Sequence, residues 1–349
     1  MRYPISVVLI TYLRTTYVAE AFRSILDQNT PRPFEIVLLS AIRDFRVARE
    51  SERAAGERGV TINYVTVAPG PIGLALQAAL ACAKGDVIAL LDDDDLWEPA
   101  KIESVVRVFE ERPDAIFFHN SQTFVDGGNT PLSFLGPTRI LRHPSSLMPE
   151  GRSLWVAAAD ASGLPRALRF EPDFNNSSIA FRRELLDPYT SYLPKLSKGE
   201  DTFLFYGALS SGRPAFLTSS RLTRYRVHSS SISAPQHTAV QASSEPSSYD
   251  QFIQGHLEMF RVAMNEAARR DLVHVRDLIQ GDIALWETFQ ALWAGEGSWP
   301  ETVRRTRALM QYGAGHPRPR ELFGATSGVL NAIAPKIAGQ MFRRWREFR

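Results

Sequence analysis

The chain has 349 residues, of which 44% are hydrophobic and 22% charged, with a formal net charge of +2. That composition is ordinary for a soluble globular protein, and its near-neutral balance points to no nucleic-acid partner. The length exceeds what one core usually holds, so one large α/β domain with a smaller appended region is expected.

The one cysteine, Cys82, excludes an intramolecular disulfide or a cysteine-rich zinc site and fits a reducing, cytoplasmic setting. Met1 to Pro4 runs straight into the apolar Ile5–Ile10, which is too short for a secretory signal. No run of 18 apolar residues occurs, so no membrane span is expected.

In chain order, short β-branched runs predict strands at 5–10, 35–39, 61–67 and 87–91. Between them, 16–28 (Thr16 as cap, then Val18, Ala21, Phe22, Ile25 and Leu26) and 74–82 have a helical apolar period. The alternation predicts a mainly parallel sheet flanked by helices, joined by right-handed crossovers. Val87–Leu91 is apolar throughout and reads as a central strand buried on both faces. Pro99 to Glu111 predicts a helix with proline in its first turn, and Ala115–Phe118 a further strand.

Residues 126–170, rich in Gly, Pro and Ser, are longer than a simple connection and read as a binding loop or a partly disordered segment. Regular structure resumes at 170–186 and 202–210. Eight serines between 229 and 248 mark a linker or lid. The expected organisation is therefore a domain over 1–230, with halves 1–125 and 126–230, a linker over 229–249 and a helical region over 250–349. Two helical patterns fill 250–309. The last fifteen residues set Ile337, Met341, Phe342, Trp345 and Phe348 against Lys336, Arg343, Arg344, Arg346 and Arg349. Such a basic amphipathic stretch either lies on a membrane surface or packs on the domain.

The chemistry concentrates in Asp92-Asp93-Asp94-Asp95 at the end of the central strand. Four adjacent carboxylates repel one another unless a cation intervenes, and the carboxyl ends of such strands are where open α/β sheets bind ligands. Carboxylate oxygens suit Mg2+ or Mn2+, which bind through one or two carboxylates plus substrate phosphates. The plainer alternative is a solvated acidic turn, with Asp95 capping the next helix. A second acidic pair, Glu200-Asp201, follows Gly199 and precedes an apolar segment. A third cluster is Arg224-Tyr225-Arg226-Val227-His228.

Leu91 to Pro99, with its four aspartates, resembles the Asp-x-Asp segment of the family 2 inverting glycosyltransferases of the GT-A fold. Ile5–Tyr12 resembles their first strand and nucleotide-contacting turn, and Gly73-x-Ala75 with Ala83-Lys84-Gly85-Asp86 their approach to the metal site. The resemblance spans roughly residues 3–230. It implies a Rossmann-like GT-A domain with a C-terminal helical extension, a nucleotide-diphospho-sugar donor, Mn2+ or Mg2+ as cofactor, and a glycan or lipid-linked acceptor. Asp94 would hold the metal with His228. Asp92, Asp93, Thr11, Tyr12, Arg14, Ser40 and Arg226 would bind the donor. Asp201 would be the base with Glu200 beside it, and Asn175, Asn176 and Trp97 would face the acceptor.

Relatives often end the second strand with a base-reading aspartate, where this chain has Ser40. They often carry asparagine where this chain has Gln77. Lipid-linked acceptors make a peripheral contact with the cytoplasmic membrane face one reading of the basic tail. A nucleotidyltransferase of similar fold and a non-catalytic sugar-nucleotide binder are the alternative functions. The absence of a glycine-rich loop after the first strand counts against the first of these, and the intact acidic clusters against the second.

Overall fold

The computed structural model describes residues 4–11, 16–40, 52–53, 55–132, 150–157, 175–228, 246–313, 326–332, 335–336 and 338–341. Tyr12, Arg14, most of the 126–170 segment, most of the serine-rich linker and the last eight residues lie outside them. Two compact units are formed, Met1–Ala157 with Arg166–Val227, and Ala158–Pro165 with His228–Arg349.

The first unit is built on a sheet of nine strands among the described residues. In chain order it runs β1 (Ile5–Thr11), α1 (Val18–Leu26), β2 (Phe34–Ser40), β3 (Thr61–Thr66), α2 (Ile72–Cys82), β4 (Val87–Asp92), β5 (Leu96–Trp97), α3 (Lys101–Glu111), β6 (Phe117–Val125) and β7 (Ser153–Val156). Then come β8 (Ile179–Arg182), α4 (Glu200–Ser210) and β9 (Ala215–Arg226). The sheet order is β3-β2-β1-β4-β8-β6-β9-β5, with β7 also on β9. β3, β2, β1 and β4 are mutually parallel, and β8 joins them antiparallel to β4.

The apolar spacing explains the helices. Val18, Ala21, Phe22, Ile25 and Leu26 form one buried stripe of α1, and Ile102, Val105, Val106 and Phe109 one of α3. Each such side chain removed from water contributes roughly 1.5–3 kcal/mol. β4 is apolar on both faces because it lies mid-sheet between β1 and β8. Helix α1 begins after Tyr17 with no side-chain cap, so the expected capping by Thr16 does not occur. Within the segment expected to be a loop, Ser153–Val156 forms a strand because β9 offers it an antiparallel edge, and Trp155 packs on Phe216 at 4.7 Å between ring centroids.

Arg182, the last residue of β8, and Arg183 after it hold neighbouring backbone in place. Arg182 donates to the carbonyls of Phe109 (2.8 Å) and Ala115 (2.9 Å), and Arg183 to Leu80 (2.6 Å) and Ala83. Both thus satisfy carbonyls at or beside the C-terminal ends of α2 and α3, where cations are favoured.

Among its described residues the second unit holds three long helices where two were expected: α5 (Pro246–Arg269), α6 (Val273–Ala294) and α7 (Trp299–Gly313). The linker expected through 249 therefore gives way to helix at Pro246, proline being suited to a first turn. His256 stacks on Trp286 with centroids 4.2 Å apart, joining α5 to α6. No described helix is long and apolar enough to cross a membrane.

Candidate active site

The parallel register brings the carboxyl ends of three strands together. Thr11 pairs with Ser40, and Ile10 with Asp92, so the expected donor residues Thr11 and Ser40 lie beside the acidic run, both buried. This is the edge at which open α/β sheets place their ligands.

The aspartates occupy the tight turn from β4 to β5, closed by the Asp95 N–H donating to the Asp92 carbonyl at 3.3 Å. The turn sorts them by environment. Asp93 and Asp95 are buried, and Asp92 and Asp94 are partly exposed. Burial raises the Asp92 carboxyl well above its usual range, and the charges of Asp94, Asp95, Glu200 and Asp93 raise it further.

Asp95 is neither a solvated turn residue nor a helix cap. Its Oδ2 accepts from Ser177 Oγ at 2.7 Å and Asn175 Nδ2 at 3.0 Å, and its Oδ1 from the Arg226 main-chain N–H at 2.8 Å. Burial and Asp94 nonetheless push it up to about 7, against the pull of these bonds. The side chain is spent in fixing the turn, because β5 leads straight into the sheet and leaves no room for a helix start there.

Arg226 does not face the diphosphate as expected. It is 1% exposed, with Nε donating to the Asp94 carbonyl (2.8 Å), Nη1 to the Gly127 carbonyl (2.6 Å) and Nη2 to Glu20 Oε2 (2.7 Å). Its guanidinium also lies over the Tyr17 ring, 4.2 Å from the centroid. All three guanidinium nitrogens are thus engaged within the protein, so the residue acts as a brace between α1, the acidic turn and the turn after β6.

Trp97, expected to face the acceptor, is a core residue at 4% exposure, its indole N–H donating to the Ser177 carbonyl at 2.8 Å. Asn175 and Asn176 are also buried and turned toward carboxylates, Asn175 to Asp95 and Asn176 Nδ2 to Glu200 Oε1 at 2.6 Å.

Glu200 and Asp201 are the first two residues of α4. Gly199 is the N-cap in the left-handed region at φ 76°, which is why glycine stands there. Two acidic residues in a first turn are favoured by the helix dipole. The Thr202 N–H donates to Asp201 Oδ1 at 2.7 Å. His228 stands two residues beyond Arg226, partly buried.

Among the described residues no three His, Cys, Asp or Glu side chains are arranged to hold a metal by themselves. The partly exposed Asp92 and Asp94, hard oxygen donors with raised mutual repulsion, fit a Mg2+ or Mn2+ ion that takes its other ligands from phosphates and water.

Sequence reading missed Ser177 as a hub and the fully buried Lys101, which donates to Asn120 Oδ1 and faces the rings of Trp97 and Phe118. Burial drives the Lys101 amine toward its neutral form. A lysine in a helix's first turn reads as solvated, so only the tertiary fold reveals it.

The family described as Glycosyl transferase family 2 matches residues 6–168. An uncharacterized glycosyltransferase of Nostoc sp. is 26% identical over 277 residues, covering 77% of this chain and 79% of that protein. The glucosyl-dolichyl phosphate glucuronosyltransferase of Haloferax volcanii is 26% identical over 183 residues, covering 52% of this chain and 53% of its own. The S. aureus TarS 1-349 structure in complex with UDP-GlcNAc has the same fold, with a TM-score of 0.59, 15% identity, and coverage of 99% of this chain and 92% of that one.

Proposed function

We propose that the chain, whose residues 6–168 match the family described as Glycosyl transferase family 2, is a metal-dependent, inverting glycosyltransferase of the GT-A fold. It moves a sugar from a nucleotide-diphospho-sugar to an acceptor hydroxyl. The observation that carries this reading is the convergence of two acidic clusters far apart in sequence. Glu200 is one of the charges acting on Asp92, and Asn175 and Asn176 bind one carboxylate of each cluster.

In this reading Asp94, with Asp92 and Asp93 beside it, would hold a Mn2+ or Mg2+ ion, which when bound neutralises the donor's diphosphate. Thr11 and Ser40 line the nucleotide side. Asp201 takes the proton of the acceptor hydroxyl as its oxygen attacks the anomeric carbon. The bond from that carbon to the diphosphate breaks, and its electron pair leaves with the nucleotide. Glu200 orients Asp201 or the acceptor.

The experiment is a melting-temperature panel of UDP, GDP, dTDP and their sugars with and without Mn2+, since a ligand bound only by the folded state raises apparent stability. A metal-dependent rise for one nucleotide family, abolished in Asp94→Ala, supports the reading. Retention of full transfer rates by Asp94→Ala and Asp201→Ala would overturn it. UDP-GlcNAc, the ligand of the TarS complex, is the first donor to test.

A lipid-linked acceptor and a peripheral position on the cytoplasmic membrane face belong to the same proposal. The Haloferax relative is named for a dolichyl phosphate substrate. In this chain, residues 299–349 carry ten Lys and Arg against three Asp and Glu. Trp299, Val303, Val329, Leu330 and Met341 account for five of the seven exposed large hydrophobics among the described residues. A basic surface with apolar side chains is how proteins adhere to anionic lipid. Co-sedimentation with anionic vesicles, compared with a chain truncated after Pro335, tests it, and equal binding of the two would remove the tail from the proposal.

A further inference from the structure

Three consecutive residues join the acidic clusters. Asn175 and Ser177 reach Asp95 across 80 and 82 positions of sequence, and Asn176 between them reaches Glu200 across 24. Ser177 Oγ also accepts the Asp92 N–H at 3.1 Å, so one hydroxyl holds both ends of the aspartate run. The Ser177 carbonyl accepts from Trp97 Nε1 at 2.8 Å and Thr223 Oγ1 at 3.0 Å, which fixes the residue in turn. All three side chains are buried.

The local backbone explains how adjacent residues serve different partners. Asn176–Ser178 is a single 3-10 turn, in which successive side chains step by about 120°. Asn176 and Ser177 therefore project in different directions from one rigid point. The choice of donors is equally telling. Asp95 is held by a hydroxyl, an amide and a main-chain N–H, and Glu200 accepts from an amide. Neutral donors orient a carboxylate without cancelling its charge, whereas a lysine or arginine in their place would compete with any cation.

We infer that residues 175–177 are positioning residues for both halves of the reaction. Asn175 and Ser177 set the donor-side aspartates, Asn176 sets Glu200, and the one turn fixes the distance between the nucleotide end and the attacking hydroxyl. This rests on the proposed division into a donor-side aspartate run and an acceptor-side Glu200-Asp201 pair.

The test uses full-length Asn176→Ala, Ser177→Ala and Ser177→Thr. Amide hydrogen exchange of the ligand-free proteins is the first readout. Asn176→Ala is expected to speed exchange at 200–204 and spare 92–97, Ser177→Ala to do the reverse, and Ser177→Thr to restore the wild-type pattern at 92–97. The second readout is Mn2+-dependent binding of UDP, or of GDP or dTDP if one of those gives the larger wild-type shift. Ser177→Ala should weaken it by roughly 10- to 100-fold, the worth of a hydrogen bond to a charged group. Asn176→Ala should leave it within about twofold while slowing hydrolysis of the matching nucleotide sugar by roughly tenfold. Exchange rising at both segments in both variants, or at neither, would overturn the inference, as would equal loss of nucleotide binding in the two. Should Ser177→Ala not fold, Asn176→Ala decides alone. Retained nucleotide binding with slowed hydrolysis supports the inference, and lost binding defeats it. A wild-type protein that binds no nucleotide with Mn2+ would sink the proposed function, and the exchange pattern would still decide whether the turn holds both clusters.

Discussion

Arg226 Nε donates to the main-chain carbonyl of Asp94 at 2.8 Å, across 132 positions of sequence. The guanidinium is thus tied to the backbone of the proposed metal ligand. Arg226→Ala should lower the stability of the ligand-free protein by roughly 2–3 kcal/mol, since it removes several bonds from a charged, buried donor. Arg226→Lys should recover little of this, because an ammonium cannot span Asp94, Gly127 and Glu20 together. Denaturant unfolding without nucleotide decides. Wild-type stability combined with lost nucleotide affinity would return Arg226 to the phosphate.

Gly199→Ala tests the start of α4. A Cβ at φ 76° costs roughly 1–2 kcal/mol, and relief of the strain would shift Glu200 and Asp201. Transfer rate should fall more than nucleotide affinity, measured by steady-state kinetics beside nucleotide titration. An equal loss in both would mean that the helix start does not belong to the acceptor half.

Gly73→Ala tests the approach to that same helix. A Cβ at Gly73 would run into the Leu193 carbonyl and lie 2.9 Å from Leu196 Cβ, while the Gly73 N–H already donates to the Leu196 carbonyl at 2.9 Å. Overpacking of this kind costs roughly 1–3 kcal/mol. A lower urea midpoint with unchanged m-value is expected, and an unchanged midpoint would show that the Leu193–Leu196 segment yields easily.

His119 gives the pH dependence. Burial, with Lys101 nearby, lowers it to about 3, whereas an unfolded histidine titrates near 6.5. The folded state thus binds fewer protons between those values. Its contribution is complete above pH 6.5 and is lost as pH falls toward 3, at up to ~1.4 kcal/mol per pH unit. His119→Phe should flatten the stability profile over pH 4–6. An identical slope in wild type and variant would refute this.

The sheet and its carboxyl edge were legible in the sequence because β4 is apolar on both faces and ends in charge, a contrast set by local residues. The acidic run and Gly199-Glu200-Asp201 could be found for the same reason. What could not be read was where side chains point after the chain has folded back across 24 to 132 positions. Asp95, Trp97, Asn175, Asn176 and Arg226 are residue types that commonly face ligands, and here each turns inward onto another element. The role of Ser177 could not be read, since it lies in four partners brought to it by β4, β5, β9 and the turn between β4 and β5.

Four identical residues in a row look interchangeable, and a deletion of one codon would leave a run of three that still passes for the same motif. In this fold it would not be silent. Asp92 is locked in register with Ile10, Asp95 is pinned at 175, 177 and 226, and Trp97 is seated two residues later. Losing one link must draw either Leu91 or Trp97 from its place in the core. The fold therefore tolerates conservative exchange at the run's partly exposed members far better than any change in its length, and in-frame deletions there are expected to lower stability where such substitutions do not.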